Sequence, residues 1–160
     1  MHELAVDASG NVFYTMKFVK GQTLKAILKG IREGDAKIIQ EYPLNHLLTI
    51  YQKICDAMAF AHSKHVIHRD LKPENVMVVH DRVKVLDFGL AVARDYASQH
   101  RDDEEIVAGT LGYMAPEVLQ GGKASEASDL YAIGVMAYEM AMGCSPYTTQ
   151  IVGELIQEIL

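Results

Sequence analysis

The sequence predicts an α+β fold in which helices dominate and small strand pairs are inserted between them. Three observations carry that expectation. From Leu44 to His62, apolar residues recur at spacings of three and four, as on one face of a helix. A second strong helical run extends from about Glu126 to Met142 and stops at Gly143, with Pro146 beyond. Near the start and in the middle of the chain, short β-branched segments flank residues with turn chemistry. The 160 residues, 49% apolar and 22% charged, exclude a disordered or collagen-like chain. At this length, roughly 70% of the unfolded chain's surface is buried on folding, enough for a core.

Taken in order, Leu4 to Asp7 reads as a strand, Ser9-Gly10-Asn11 as a turn, and Val12 to Val19 as a β-branched and aromatic strand. After Gly21, Thr23 is placed to cap a helix whose apolar residues are Leu24, Ile27, Leu28 and Ile31, with Gly30 and Gly34 weakening its far end. The clearest helix follows Pro43, with Leu44, Leu47, Leu48, Tyr51, Ile54, Cys55, Met58 and Ala61/His62 on its apolar side. Val76 to Val79 and Val83 to Leu86 flank His80-Asp81-Arg82 as a hairpin. From Asp87 to Pro116 the pattern is irregular, punctuated by Gly89, Gly109 and Gly112. Ile151 to Leu160 begins a new amphipathic pattern.

The net charge of −6 gives no basic footprint for nucleic acid or an anionic membrane surface. Two widely separated cysteines, Cys55 and Cys144, form no disulfide framework and fit a reducing compartment. The first residues carry acids where a signal peptide needs cations and then an apolar run. No stretch approaches the ~18 apolar residues of a membrane helix. The expected location is cytoplasmic, with any membrane anchor of the parent protein outside this segment.

The chemistry is concentrated in His68-Arg69-Asp70-Leu71-Lys72-Pro73-Glu74-Asn75, after the long helix, and in Asp87-Phe88-Gly89, after the hairpin. Phosphoryl transfer needs these groups: oxygen ligands for Mg²⁺, a cation for the moving phosphate and a carboxylate at the attacking hydroxyl. Asn75 and Asp87 supply hard oxygen ligands, and a tight hairpin returns both to one end. Taken separately, the two strings fit a surface loop with a helix cap and an unrelated Asp-Phe-Gly turn. Their order and the hairpin between them favour the chemical reading.

With these motifs the chain resembles a eukaryotic-type serine/threonine protein kinase catalytic domain over nearly all its length. The resemblance implies a protein-kinase-like fold: mainly the helical large lobe, with the hinge and last strands of the small lobe. Residues 1–20 would be the end of the small lobe and the hinge, and 21–160 the large lobe, incomplete at its C-terminal end. It implies Asp70 as catalytic base, and Lys72 as the cation near the γ-phosphate, marking Ser/Thr rather than Tyr specificity. Asn75 and Asp87 would be the metal ligands. Thr110 would bridge Asp70 and Lys72, and Ala115-Pro116-Glu117 would end the activation segment. Met16 would be the gatekeeper beside adenine, and Lys17, Phe18 and Val19 the hinge whose backbone meets the base. Met77 would lie under the adenine ring; an ordinary core position fits it equally well. Asp129 resembles the buried aspartate that accepts backbone N–H bonds from the catalytic loop, with a helix N-cap as the alternative. His68 would be structural, stacked on Phe88. The spacing of His62, His65 and His68 lacks a completing ligand for a metal, and helix-end histidines fit better. The implied cofactors are ATP and Mg²⁺, and the implied partner is a protein substrate offering a Ser or Thr hydroxyl. Residues 13–24 look like bacterial members of the family.

Arg69, directly before Asp70, resembles the arginine that pairs with an activation-segment phosphate. Asp102-Asp103-Glu104-Glu105 would replace that phosphate, although a solvated acidic loop fits the run at least as well. The chain departs from the family in having no G-x-G-x-x-G, no small-lobe lysine before Lys17 and no partner glutamate for it. A whole kinase domain runs to roughly 250 residues. The expectation is the central piece of an active Ser/Thr kinase, with these 160 residues inactive by themselves. The alternative is a chain complete as given, serving as a non-catalytic kinase-like scaffold or binding module.

Overall fold

The computed structural model describes residues 3–6, 12–15, 17–80, 82–88 and 109–160. Strands β1 (Glu3–Val6) and β2 (Val12–Thr15) form an antiparallel pair, with Glu3 opposite Thr15 and Val6 opposite Val12. The second predicted strand therefore stops earlier than Val19, and residues 17–20 carry no regular structure. β3 (Gln22–Thr23) leads directly into α1 (Leu24–Arg32). Thr23 caps that helix as expected, its side chain accepting from the Ala26 N–H at 3.1 Å. Then come α2 (Ala36–Glu41), α3 (Leu44–Ser63), a single 3₁₀ turn (Pro73–Asn75), and the hairpin β4 (Val76–Val79) and β5 (Arg82–Val85). The C-terminal part holds α4 (Pro116–Leu119), α5 (Glu126–Met142) and α6 (Val152–Ile159).

Further elements differ from the sequence expectation. β5 sits one residue earlier than predicted, because Arg82 pairs with Val79. β3 joins the hairpin to make an antiparallel sheet of order β3-β4-β5, with Gln22 opposite Val78. Gly21 is required there, since a Cβ would fall 2.4 Å from the Val78 carbonyl oxygen. α2 was not foreseen: it is six residues long, buries none of them, and is held by Asp35 accepting from the Lys37 and Ile38 N–H groups. Such a helix has a cap but no apolar period to read.

The main core joins α1, α3, β4 and α5 through Leu24, Ile27, Ile50, Ile54, Met58, Val76 and Met136. The buried stripe of α3 is Leu47, Ile50, Ile54, Met58 and Ala61. Leu44 and Leu48, placed on the apolar face by their spacing, are instead more than half exposed, and Ile50 takes the buried place. Their spacing is helical, but the stripe that meets α5 and the sheet is narrower than the run of apolar residues. A second, smaller cluster packs α6 against Leu111, Leu119, Tyr131 and Tyr147 through Leu155 and Ile159. α5 ends as read from sequence: Gly143 adopts φ 73°, and its N–H bonds to the Glu139 carbonyl. Among the described residues, no helix is long and apolar enough to cross a membrane.

Burial separates residues that look alike in sequence. Ile54→Ala is expected to lower the unfolding free energy by about 2–5 kcal/mol, and Leu48→Ala by about 0.5 kcal/mol or less, in urea titrations.

Candidate active site

The segment between α3 and the 3₁₀ turn has no ladder of its own to hold it. It is held instead by one carboxylate. Asp129, only 2% exposed on α5, accepts the His68 N–H on Oδ2 at 2.8 Å and the Arg69 N–H on Oδ1 at 3.0 Å. His62, near the end of α3, donates from Nε2 to the same Oδ2 at 2.9 Å. Burying a charge is costly unless donors surround it, and here three do. The N-cap of α5 is Ser125, whose N–H donates to the Ser128 hydroxyl, so Asp129 stands a turn inside the helix and is not its cap. With two amides fixed, Arg69 is kept at φ 72°, a region that non-glycine residues enter at a cost of about 1–3 kcal/mol.

Directly after that strained residue, Asp70 meets its partners. Lys72 Nζ lies 3.2 Å from Asp70 Oδ1 and donates to Thr110 Oγ1 at 3.1 Å. Asn75 Nδ2 donates to the Asp70 carbonyl at 2.6 Å and to its Oδ2 at 3.3 Å. Lys72 and Asn75 are both buried. Such a pair leaves a carboxylate oriented from both sides and a cation with little freedom. With Nδ2 committed to Asp70, Oδ1 is the Asn75 atom that offers a metal ligand.

The hairpin carries Asp87 back to the same place. Val76 pairs with Val85, and the Leu86 N–H bonds to the Asn75 carbonyl at 2.8 Å, so the ladder continues to the open end. His68, fully buried, donates from Nε2 to the Leu86 carbonyl at 2.7 Å, while its Nδ1 accepts from the Asp70 N–H at 3.3 Å. These roles fix a neutral imidazole protonated on Nε2. Its ring lies 4.7 Å from that of Phe88, tilted by 54° rather than stacked face to face. Asp87, between Leu86 and Phe88, adopts φ 63°. Both neighbours of this second left-handed residue are thus tied to His68.

The arrangement brings Asp70, Lys72, Thr110 and Asn75 into direct contact and places Asp87 beside them along the backbone. Asn75 and Asp87 are hard oxygen donors. Among the described residues no group of three or more His, Cys, Asp or Glu could hold a metal by itself. A site with two protein ligands suits Mg²⁺, which keeps waters and substrate phosphates in its shell.

The protein kinase domain family matches residues 3–159, nearly the whole chain. The chain belongs to the protein kinase family. Among its relatives is the serine/threonine-protein kinase PknD of Chlamydia caviae, 34% identical in a 158-position alignment that covers 87% of this chain and 17% of the relative. The PknD proteins of Chlamydia pneumoniae and Chlamydia trachomatis serovar D are 34% and 33% identical over 85% of the chain, and 16% and 17% of their own lengths. The chain thus spans about a sixth of these curated bacterial relatives. Protein kinases generally use ATP and Mg²⁺.

Around this candidate site, Lys17 and Phe18 are exposed and Val19 is partly buried. Met77 is buried on β4, opposite Thr23 on one side and Lys84 on the other. Met16, and the acidic run Asp102 to Glu105 matched with Arg69, lie outside the described residues. His62 is the residue whose role sequence reading missed. Its spacing reads as that of a helix-end histidine, and no local signal points to a partner 67 positions away.

Burial pushes the His68 imidazole below its ordinary value of 6.5, against the opposing pull of the Leu86 carbonyl and the nearby carboxylates. A depressed folded value means that the unfolded chain binds the extra proton first. Stability from neutral His68 is therefore present above pH 6.5 and is lost as pH falls below it toward the depressed folded value. In urea titrations across this window, the advantage of wild type over His68→Asn should shrink as pH falls. An advantage constant with pH would contradict the buried neutral assignment.

Proposed function

We propose that this chain carries the catalytic centre of a protein serine/threonine kinase, transferring the γ-phosphoryl group of ATP to Ser or Thr hydroxyls on proteins. The observation that carries this reading is the Asp70 carboxylate held between Lys72 and Asn75, with Thr110 closing on Lys72. The serine/threonine-kinase names of the relatives support it. Asp70 orients the substrate hydroxyl and takes its proton as the oxygen–phosphorus bond forms and the bond to the ADP oxygen breaks. Lys72 places positive charge on the transferring phosphoryl oxygens, and Thr110 holds the ammonium in position. Asn75 Oδ1 and Asp87 would hold Mg²⁺, which when bound supplies charge neutralisation to the phosphates.

In the same reading, residues 1–20 belong to the end of the small lobe and the hinge, and residues 21–160 to the large lobe. Met16 would be gatekeeper, and the backbone of Lys17, Phe18 and Val19 would meet the adenine, with Met77 beneath it. The catalytic segment would work in the cytoplasm, where ATP and reduced cysteines coexist. The intact set Asp70, Lys72, Asn75, Asp87 and Thr110 favours catalysis over a scaffold role, which has no use for it.

The test is radiolabelled phosphate transfer from ATP to a Ser/Thr-rich protein such as casein, using the full-length protein that carries this chain. Asp70→Asn should lower the transfer rate by about a hundred- to ten-thousandfold. The ATP KM and melting temperature should barely move. A variant that transfers at the wild-type rate would refute the assignment.

A further inference from the structure

β5 is the outer strand of the sheet ordered β3-β4-β5. Val83 and Val85 turn one of its faces onto the core, while Arg82 and Lys84, on the other, are exposed. An outer strand leaves a row of backbone groups without a ladder partner. The register says which ones they are. The Leu86 N–H bonds to the Asn75 carbonyl, and bonded and non-bonded pairs alternate along an antiparallel ladder. Lys84 and Arg82 therefore direct their N–H and C=O groups toward Met77 and Val79. Those of Val83 and Val85 point away from β4, and among the described residues nothing takes them up.

Charge along this edge has one sign. Arg82 and Lys84 are two residues apart, so their side chains leave the same face roughly 7 Å from each other. Among the described residues neither joins an ion pair. Lys20, also exposed, precedes Gly21, whose backbone lies against Val79, the residue paired with Arg82. In a chain of net charge −6, residues 17–24 and 76–86 carry four Lys and Arg and a single acid, Asp81. A partner that fits this edge brings backbone groups and negative charge together. A second copy of β5 brings only the backbone. With the apolar faces of both copies on one side, its Arg82 and Lys84 stand opposite these two, and like charges directly opposite disfavour pairing. An anionic lipid surface answers the charge but offers no backbone groups to Val83 and Val85. An extended acidic segment supplies both.

We propose that β5 is a docking edge for an acidic segment of a partner protein, which adds to the sheet as an antiparallel fourth strand. Its backbone pairs with Val83 and Val85, and two of its carboxylates, two residues apart, meet Arg82 and Lys84. Neither the edge nor its cations include a residue of the proposed catalytic set, so docking is independent of phosphoryl transfer.

The experiment uses the full-length protein that carries this chain and a fluorescent peptide of about ten residues that alternates Glu with Val. Binding is read by anisotropy, with a peptide of the same composition but all its Glu at one end as the charge control. Wild type should bind the alternating peptide more tightly. Methylating the peptide's Val amides, which face β5, should weaken binding at least about tenfold, whereas methylating its Glu amides, which face away, should leave it unchanged. The double variant Arg82→Ala, Lys84→Ala should lose about tenfold, the reach of two partly exposed ion pairs, and Lys84→Arg should bind as wild type does. Equal binding of the two peptide orders, or of the Val-methylated form, would overturn the inference, as would affinity unmoved in the double variant. So would retention on phosphatidylserine vesicles through Arg82 and Lys84 with no peptide bound, which would make the edge a lipid contact.

Discussion

The Asp129 carboxylate is the constraint on which the site depends. Two backbone amides of the proposed catalytic loop and one imidazole converge on a group that is almost wholly out of water. Without those donors, the burial of its charge would be prohibitive; without the carboxylate, two amides would be orphaned in turn. The arrangement joins α3, through His62, to α5, through Asp129, and suspends the loop between them. Because α3 and α5 also share the apolar core around Ile54, Met58 and Met136, the loop inherits the rigidity of the best-packed part of the molecule. That rigidity lets Arg69 remain in a left-handed conformation and presents Asp70 on the far side of it.

His68 carries the constraint one step further. Its backbone is fixed by Asp129, and its ring holds the Leu86 carbonyl and meets Phe88. The residue between those two contacts is Asp87. The hairpin meanwhile ties Leu86 to Asn75, and Asn75 reaches back to Asp70. The two proposed metal ligands and the proposed base are thus linked through one imidazole and one asparagine. A protonated His68 would have to give up the acceptor role of Nδ1 toward Asp70, so burial that keeps the ring neutral also serves the geometry.

Much of this was legible in the sequence, for identifiable reasons. The string His68 to Asn75 could be read as a candidate site because phosphoryl transfer, the proposed chemistry, restricts residue types at short range. Asp70, Lys72 and Asn75 lie within one loop, and their contacts are local. The long helices were legible because α3 and α5 are many turns long, and Gly143 marks an end that a left-handed residue must make. What escaped was short or distant. The two residues of β3 gain their strand character only by pairing with Val78 and Met77, more than fifty positions on. The exposure of Leu44 and Leu48 depends on which stripe of α3 meets its neighbours, and spacing alone leaves that open. Likewise, nothing near His62 announces Asp129.

The central claim is that one buried carboxylate holds the proposed catalytic loop in the shape described. Backbone hydrogen exchange of Asp129→Ala tests it directly. The account predicts that amides at His68 and Arg69 lose their protection, while those in the middle of α3 and α5, held by their own helical bonds and the shared core, keep theirs. Unchanged protection at His68 and Arg69 would contradict it, since the loop would then be held by something other than Asp129.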